Sequence, residues 1–543
     1  MLKEWRDKKI LFLGDSITHN GLYVDFFETY LIQYYFSSYE GEIMRLGLSS
    51  ETVSGLSEKE HPFPRPYLSE RLNRTLKAIQ PDVVFLCYGM NDGIYAALEE
   101  TRFAAFREGM LSAIEQIRQT GAQIVVMTPT PFDPNSFSLE LSEEPVPDAG
   151  YLHPYKYYNK TLEAYAQWVM TLGEQEGVLA TIDLFTPMSE YLSATYERNP
   201  GYSSGDGIHP NSIGHWVIAK AMIKQLFNIT LNRMPFYVQK SRPGDYFNLL
   251  WFDNETISNA WRESIGHTNP NKEMHALSVE QAYAKSNRSQ VIEMARQDAK
   301  RIAESKWKGY RRLDFYLDGR EGILIAPEQP REDGMWIWRT EFFGAFDQAD
   351  MALLEQGYYL AYYCLSDMYG SPKAVSLMEE FRGFVMGYFK LSGKPILFGF
   401  SRGGMYAVNY AAKYFQSVTA LYLDAPVLDM NSWPRGMGKG SGNALCWDDC
   451  KKCSGVNEEE ALTTVKNPIR QLPVLRRANI PIILVAGGQD QTVPYEENGA
   501  KLAELYQDSS LFRVIVKPDC GHHPHSLEDP TPIVEFCNQC TLG

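Results

Sequence analysis

The sequence of 543 residues contains no apolar run that approaches 18 residues, so it predicts no transmembrane helix. Residues 1–9 are highly charged and lead directly into the apolar segment 10–13. They lack the apolar stretch and the small-residue cleavage site of a secretory signal, and we therefore expect a cytoplasmic protein. The sequence also lacks short internal repeats and low-complexity tracts.

The sequence has fewer basic than acidic residues: 52 Lys and Arg residues and 67 Asp and Glu residues give a net charge of −15. Nucleic acids and anionic membranes favour a basic surface, so neither is expected as the main partner. Hydrophobic residues make up 44% and charged residues 22%, which excludes a disordered chain. At about 150 residues per domain, the length suggests roughly three domains or two large ones.

Cysteine is sparse, with eight residues, and a chain of this length buries enough apolar surface to fold without disulfides. Cys450-x-x-Cys453 and Cys537-x-x-Cys540 have the spacing of zinc ligands, and Cys446 lies near the first pair. Nothing in the sequence requires the two pairs to meet. We favour free thiols, with a zinc site and a disulfide as alternatives.

Apolar segments alternate with amphipathic ones over residues 1–230, which predicts a parallel sheet covered by helices on both faces. The predicted strands of this domain are residues 9–13, 82–88, 123–127 and 178–183. Residues 231–305 contain few such runs but include a helical stretch from residue 278 to about residue 305. We interpret them as a helical connector or an extra layer on the first domain.

The alternation resumes at about residue 310 and predicts a second α/β domain over residues 306–543. Its predicted strands are residues 358–363, 395–398, 420–423, 480–486 and 512–516. The predicted fold class is therefore α/β, with two three-layer αβα domains in succession.

Four short motifs stand in order within the first 215 residues. They are Gly14-Asp15-Ser16-Ile17-Thr18, Arg45-Leu46-Gly47-Leu48-Ser49, Gly89-Met90-Asn91-Asp92 and Asp206-Gly207-Ile208-His209-Pro210-Asn211. We expect each motif to lie at the carboxyl end of a strand, because parallel sheets form their binding and catalytic sites there.

These motifs contain the groups that acyl transfer needs. A serine hydroxyl is a weak nucleophile, and His209 can act as the base that activates Ser16. Asp206 can orient the imidazole and stabilise its charged form. The backbone N–H groups of Ser16 and Gly47 and the side-chain amide of Asn91 are suitable donors for an oxyanion.

This set resembles the SGNH, or GDSL-type, hydrolases, which are named for the Ser, Gly, Asn and His of four sequence blocks. The resemblance implies a flavodoxin-like parallel sheet and ester hydrolysis through an acyl-serine. It implies Ser16 as nucleophile, Asp206 and His209 as the rest of a triad, and Gly47 and Asn91 in the oxyanion hole. The Gly block departs from the family pattern, because the usual neighbouring Asn is absent.

A second motif lies at residues 395–404, where an apolar strand leads into Gly399-Phe400-Ser401-Arg402-Gly403. Small residues in Gly-x-Ser-x-Gly permit a strained turn that exposes the serine hydroxyl. Asp490 and His522 each follow a later predicted strand. The order Ser, Asp, His is the order found in α/β-hydrolases.

Residues 310–543 therefore resemble the α/β-hydrolase superfamily. The resemblance implies Ser401 as nucleophile, His522 as base, Asp490 as its orienting acid and the N–H of Arg402 as an oxyanion donor. Three residues remain as alternatives: His523 and His525 for the base, and Asp424 for the acid.

A second oxyanion donor should come from the loop around residues 336–339, although no His-Gly-Gly-Gly motif is present there. We interpret Trp336, Trp338 and Arg339 first as core or rim residues. Trp338 and Arg339 are also candidate substrate-binding residues, and Arg339 with Arg402 could hold an acidic sugar.

Two serine-hydrolase folds on one chain suit a substrate that carries several esters in different positions. Acetylated xylan, mannan and pectin fit that description, and the arrangement resembles two-domain bacterial carbohydrate esterases. The leading hypothesis is a bifunctional carbohydrate O-acetylesterase that acts on acetylated oligosaccharides without a metal or organic cofactor. The substrate rests on fold-level analogy. Alternatives are a lipid esterase or thioesterase, one half serving as a carbohydrate-binding module, and a methyl or feruloyl esterase in the second half.

Overall fold

A computed structural model of the chain describes residues 5, 7–35, 41–146, 149–232, 234–235, 238, 245–272, 276–366, 368–464 and 466–541. The chain divides into two compact units, Met1–Ala299 and Lys300–Gly543. Each unit contains a predominantly parallel sheet, so the two predicted α/β domains are confirmed.

The first unit is built on a five-stranded parallel sheet with the order β2-β1-β3-β4-β5. This order is that of flavodoxin-like folds. The strands are β1 (Lys9–Gly14), β2 (Glu42–Arg45), β3 (Val83–Cys87), β4 (Gln123–Met127) and β5 (Val178–Ile182). Helices cover both faces, which explains why β1, β3 and β4 are almost continuously apolar and buried.

Helices follow the strands of this sheet, and the hydrophobic residues of several of them pack against it. They are α1 (Ser16–Asn20), α2 (Leu22–Tyr30), α3 (Leu68–Ile79), α4 (Glu100–Arg118), α5 (Asn159–Met170), α6 (Phe185–Arg198) and α7 (Ser212–Phe227). Asp15 caps α1 by accepting a hydrogen bond from the N–H of Ile17 at 3.0 Å. The helix therefore begins directly at the carboxyl end of β1.

Three further helices complete the first unit: α8 (Tyr246–Ile265), α9 (Val279–Lys285) and α10 (Arg288–Ala299). Helix α8 packs against α2, α3 and the edge strand β2. A helix on a sheet edge protects it from pairing with another chain. The helical stretch predicted from residue 278 ends earlier than expected, because residues 303–307 form a strand of the second unit.

The second unit contains a nine-stranded sheet with the order β14-β13-β12-β11-β9-β10-β8-β7-β6. The strands are β6 (Ala303–Trp307), β7 (Tyr310–Leu317), β8 (Arg320–Ala326), β9 (Trp336–Arg339), β10 (Tyr359–Tyr363), β11 (Ile396–Phe400), β12 (Ala420–Asp424), β13 (Ile482–Gly487) and β14 (Phe512–Lys517). The pairs β6–β7, β7–β8 and β8–β10 are antiparallel, and all other neighbouring strands of this sheet are parallel. The five strands predicted for this half are present, whereas β6 to β9 were not predicted.

Helices flank this sheet as well. They are α11 (Gln348–Glu355), α12 (Pro372–Phe389), α13 (Gly403–Lys413), α14 (Ala444–Ser454), α15 (Leu472–Arg477), α16 (Gly499–Tyr506) and α17 (Thr531–Thr541). Two apolar cores lie on opposite faces, since alternate residues of the same strands enter each of them. Across the described part of the chain, no helix combines the length and the hydropathy needed to cross a membrane.

The cysteine pairs lie in different cores. Cys450 is buried in one core and Cys453 packs against it, whereas Cys537 and Cys540 belong to the core on the opposite face. All eight cysteines are free thiols. A single zinc site that joins the two pairs is therefore excluded by the sheet that separates them.

Candidate active sites

The first candidate site lies at the carboxyl edge of the five-stranded sheet. Ser16 is the first residue of α1, and only Asp15 separates it from the end of β1. Strands β2 and β3 pair with β1 on either side, so the loops that carry Gly47 and Asn91 flank the serine. The parallel sheet thus brings together three motifs that are separated by up to 75 residues in the sequence.

Ser16, His209 and Asp206 form a continuous hydrogen-bonded chain. The Oγ atom of Ser16 lies 2.8 Å from Nε2 of His209, and Nδ1 of the same ring lies 2.7 Å from Oδ2 of Asp206. The second oxygen of Asp206 accepts hydrogen bonds from the N–H groups of Ile208 and His209 at 2.9 and 2.7 Å. This turn places the carboxylate against the imidazole, in the geometry required of a nucleophile, a base and an orienting acid.

The charges around His209 favour its protonated form. Burial lowers the pKa of His209, but the hydrogen bond and charge of Asp206, together with the charge of Asp15, outweigh it and raise the pKa above 6.5. Burial opposes ionisation of Asp206, yet the hydrogen bonds from His209 hold the pKa of this carboxyl well below its ordinary value. The side chains of His209 and Asp206 remain 43% and 59% exposed, so the site is open to solvent.

The predicted oxyanion donors lie after β1, β2 and β3, which are neighbouring strands of the sheet. The N–H of Ser16 is the first of its helix, and such groups have no acceptor within the helix. A Cβ atom on Gly47 would lie 2.3 Å from the backbone nitrogen of His19, so only glycine lets this loop approach α1 so closely. The amide of Asn91 donates one hydrogen bond to the backbone oxygen of Glu51 at 3.1 Å, and a side-chain amide carries a second N–H that can donate to an oxyanion.

A buried aspartate that the sequence analysis missed anchors the loop of the triad. Asp133 Oδ2 accepts hydrogen bonds from the hydroxyls of Ser136, Tyr196 and Ser204 at 2.7, 2.7 and 2.5 Å. The N–H of Asp133 donates to the oxygen of Gly207 at 2.8 Å. Asp133 lies outside the four sequence motifs, so no sequence signal marked it.

Two other residues that the sequence analysis missed hold the Gly47 loop, and both follow the four motifs in the sequence. Arg262 on α8 donates to the backbone oxygen of Arg45 at 3.1 Å and approaches that of Gly47 at 3.5 Å. Asn269 donates to the backbone oxygen of Ser49 at 2.9 Å. The extra helical layer thus supports the loop in which the usual neighbouring Asn is absent.

The second candidate site lies on the nine-stranded sheet, where Ser401 stands between β11 and α13. Its φ of 48° is strained for a residue other than glycine and is typical of a sharp strand-to-helix turn. The turn is held by hydrogen bonds from the N–H of Ser401 to Asp424 and from the N–H of Val427 to Ser401. A Cβ atom on Gly404 would lie 2.5 Å from Pro426, so the helix can pack this closely only with glycine there.

Ser401, His522 and Asp490 form a second hydrogen-bonded chain. Oγ of Ser401 lies 2.9 Å from Nε2 of His522, whose Nδ1 lies 2.7 Å from Oδ2 of Asp490. The other oxygen of Asp490 accepts hydrogen bonds from the N–H groups of Thr492 and Val493 at 2.9 and 2.8 Å. The side chains of His522 and Asp490 are only 10% and 1% exposed, so this site is more recessed than the first.

The alternative residues have other partners. His525 is buried and its Nδ1 lies 2.7 Å from Oδ1 of Asp424. The ring of His523 stacks on Phe346 with a centroid distance of 5.6 Å. Of the three neighbouring histidines, His522 is the one that the structure places against Ser401.

Arg402 directly follows Ser401 in the turn, and its side chain pairs with a buried carboxylate. The N–H groups of Gly404 and Met405 bond back to Ser401 and Arg402, which leaves the preceding N–H groups of the turn for other acceptors. The guanidinium of Arg402 lies 3.2 Å from the buried carboxylate of Glu341 and 5.3 Å from the ring centre of Phe342.

Trp338 and Arg339 do not meet the expectation that they contact substrate, because both are fully buried within β9. Arg339 donates hydrogen bonds to both oxygens of Asp350 at 2.7 and 2.6 Å, and its guanidinium lies 3.8 Å from the ring centre of Phe400. A buried guanidinium needs such partners. The substrate-binding prediction for these two residues was therefore wrong, and Arg339 cannot hold an acidic sugar.

The chain thus consists of two α/β domains, and each carries a Ser–His–Asp arrangement at the carboxyl ends of its strands. Residues 12–217 match the family described as GDSL-like Lipase/Acylhydrolase. The first unit thus contains a GDSL-type, or SGNH, hydrolase domain, and the sheet of the second resembles that of α/β-hydrolases. No curated protein matches the sequence.

Several solved structures are similar to parts of the chain. A gut microbial diltiazem-metabolizing enzyme, BT4096, is 19% identical with a TM-score of 0.33, over 40% of this chain and 47% of that one. This chain thus spans less than half of the length of that enzyme. A catalytic mutant of Axe2, an acetylxylan esterase from Geobacillus stearothermophilus, is 19% identical with a TM-score of 0.30, and the match covers 43% of this chain and 97% of that one. Est1E from Butyrivibrio proteoclasticus is 16% identical with a TM-score of 0.32, and the match covers 45% of this chain and 99% of that one. Likenesses this distant do not bear on function.

Proposed function

We propose that this protein is a bifunctional serine carbohydrate esterase. In this proposal it removes O-acetyl groups from oligosaccharides of the xylan, mannan or pectin type, within the cytoplasm, at two independent sites. One observation carries the proposal: the chain holds two complete Ser–His–Asp arrangements, in two separate units, with consecutive distances between 2.7 and 2.9 Å.

The proposed mechanism is the same at both sites. The serine hydroxyl gives its proton to Nε2 of the histidine while Oγ attacks the acetyl carbonyl. The N–H groups at the start of the helix after the serine stabilise the oxyanion, with Gly47 and Asn91 contributing at the first site. The histidine then protonates the sugar alkoxide, and a water molecule releases acetate from the acetyl-serine. These steps use the protein's own groups and call for neither a metal nor an organic cofactor.

The different access to the two sites supports a division of labour. His209 and Asp206 are largely exposed, and this open edge suits an ester on a bulky, polar alcohol. His522 and Asp490 are recessed, and a recessed serine suits esters on a smaller or differently shaped sugar. A substrate that carries acetyl groups at several hydroxyls would use both.

The test is acetate release from acetylated xylan, mannan and pectin oligosaccharides by the wild type, Ser16→Ala, Ser401→Ala and the double variant. We expect each single variant to lose a different subset of acetyl groups, which mass spectrometry of the products would identify. The double variant should release no acetate. Ser112→Ala is a matched control, because Ser112 is an exposed serine of α4.

Other outcomes would favour other functions. If one substitution abolished all release and the other had no effect, the silent unit would have another substrate or a binding role. Activity that rises with acyl chain length on p-nitrophenyl esters would favour a lipid esterase or thioesterase. Release of methanol or ferulate by the Ser16→Ala variant would indicate a methyl or feruloyl esterase in the second unit. No acetate release by the wild type would exclude the acetylesterase proposal.

A further inference from the structure

Three histidines converge beside Ser401. His522, His523 and His525 offer imidazole nitrogens that all lie within 4.8 Å of one another, and their ring centroids are 4.8 to 4.9 Å apart. Within the described ranges, this is the only group of three or more His, Cys, Asp or Glu side chains that could hold a metal ion. The proposed mechanism uses only His522.

Two of these rings are oriented as metal-binding imidazoles are. Nδ1 of His522 lies 2.7 Å from Asp490, and Nδ1 of His525 lies 2.7 Å from Asp424. Ionised carboxylates only accept hydrogen bonds, so Nδ1 carries the proton in both rings and Nε2 carries the lone pair. A carboxylate behind the ligating histidine is the usual outer-shell arrangement of zinc sites, where it fixes the tautomer and strengthens the ligand.

We propose that His522, His523 and His525 form an inhibitory site for a divalent transition metal of the zinc type. Imidazole nitrogen is a preferred ligand of Zn²⁺, at about 2.0–2.1 Å, with a tetrahedral geometry in which water completes the coordination. Ligand nitrogens in such a site are about 3.4 Å apart, so nitrogens that lie up to 4.8 Å apart must approach one another by up to about 1.4 Å. The exposed ring of His523 is the one best able to move.

Inhibition follows from competition for a single lone pair. In the structure, Nε2 of His522 is the acceptor within reach of the Ser401 hydroxyl, at 2.9 Å. A metal ion bound to Nε2 occupies that lone pair, and Ser401 then has no base to take its proton. The inhibitory effect rests on the proposed activity of the second site, whereas metal binding itself does not.

The first site should escape this inhibition. His209 lies against Asp206 and Ser16, and in the described residues it joins no convergent group of three ligands. Zinc should therefore distinguish the two sites, suppressing the reaction that depends on Ser401 and sparing the one that depends on Ser16.

The binding test is a titration of the full chain with ZnCl₂ by isothermal calorimetry. Loss of a ligand or of its outer-shell partner weakens metal binding by about tenfold or more, so we expect His523→Ala to weaken one zinc-binding event by at least that factor. His153→Ala is the matched control, since His153 is an exposed histidine of the first unit, and it should bind zinc as the wild type does. Equal zinc affinity in the wild type and His523→Ala would overturn the proposal. Since His523→Ala leaves every cysteine in place, this comparison also distinguishes the imidazole site from zinc binding by thiols.

The functional test uses Ser16→Ala, so that only the second site can act. We expect zinc to inhibit acetate release reversibly, with EDTA restoring it, and the additional His523→Ala substitution to shift the half-inhibitory zinc concentration upward at least tenfold. An unchanged half-inhibitory concentration would overturn the inhibitory role. If Ser16→Ala releases no acetate, the proposed function of the second site fails, while the calorimetric comparison still decides whether the metal site exists.

Discussion

Asp424 and His525 form a buried hydrogen-bonded pair, with 2.7 Å between Oδ1 and Nδ1. The other oxygen of Asp424 accepts hydrogen bonds from the hydroxyl of Tyr422 and the N–H of Ser526, at 2.7 and 2.8 Å. Both oxygens of Asp424 are thus engaged in fixing the loop that follows β14 to the end of β12. The carboxylate that orients the base beside Ser401 is Asp490 instead.

This arrangement predicts different consequences for the two acids. Asp490→Asn should lower kcat at the second site by up to about 10⁴-fold, because an amide can neither select the required tautomer nor stabilise the imidazolium. Asp424→Asn should mainly reduce stability. Acetate-release kinetics and thermal unfolding, both in the Ser16→Ala background, measure the two effects. Equal losses of kcat would contradict this assignment.

The raised pKa of His209 predicts the pH dependence of the first site. The base must be neutral to accept the proton of Ser16, so kcat/KM should fall as the pH drops through a value above 6.5. Asp206→Asn removes the main cause of the increase, leaving burial to lower the pKa, so the acid limb should move to lower pH while the rate falls. Rate profiles in the Ser401→Ala background, from pH 5 to 9, test this. An acid limb that does not move would show that Asp206 does not control the pKa of His209.

Asp15 predicts a pH-dependent stability difference. Burial raises its pKa from 3.8 to about 7 in the folded protein. The carboxyl of Asp15 therefore loses its proton at a lower pH in the unfolded chain than in the folded protein. As the pH rises from about 4 to 7, the folded state is progressively destabilised relative to the unfolded state. Asn caps helices as well as Asp does and carries no charge. Asp15→Asn should thus increase the free energy of unfolding above pH 7, by up to about 4 kcal/mol at 1.36 kcal/mol per pKa unit, and change it little near pH 4.

Denaturant unfolding at pH 4 and at pH 8, with the wild type alongside, measures this difference. A variant that is equally stabilised at both pH values would show that the cause is not the ionisation of Asp15.

The support of the Gly47 loop by α8 predicts an effect on catalysis. Arg262→Met and Asn269→Ala should lower kcat at the first site by about 10- to 100-fold with little change in KM, because a displaced oxyanion donor weakens binding of the transition state but not of the substrate. Phe252→Ala is the control, since its side chain lies on the same helix and is 62% exposed. Measurements of kcat and KM in the Ser401→Ala background, where only the first site can act, test this prediction. A rise in KM alone would contradict a positioning role for Arg262 and Asn269.

The buried pair of Arg339 and Asp350 predicts a structural effect. Arg339→Met leaves the Asp350 carboxylate without its bidentate partner, and breaking such a pair costs about 3–5 kcal/mol of folding free energy. KM at the second site should remain unchanged in the protein that stays folded. An increase in KM without loss of stability would contradict this structural role.

The sequence predicted the elements whose hydrophobic pattern is strong. Within the predicted strands 82–88 and 480–486, the residues that form β3 (Val83–Cys87) and most of β13 (Ile482–Gly487) are continuously apolar, because both faces of a parallel strand are covered. Strand β6, Ala303–Trp307, was missed because it is mostly exposed and carries no apolar pattern. Its strand conformation depends on antiparallel pairing with β7, which a local pattern does not reveal.

The sequence by itself determined which reactive groups are present and, through the alternation of strands and helices, at which ends of the strands they lie. Ser16 and Ser401 both follow a buried strand, and a parallel sheet must place them at its carboxyl edge. The tertiary structure alone decided which carboxylate meets which histidine, that Arg339 is enclosed in the core, and that Arg262 reaches the loop of Gly47. Hydrophobic periodicity is a local property, whereas a buried polar group takes its partner from whichever element is packed against it, often hundreds of residues away in the sequence.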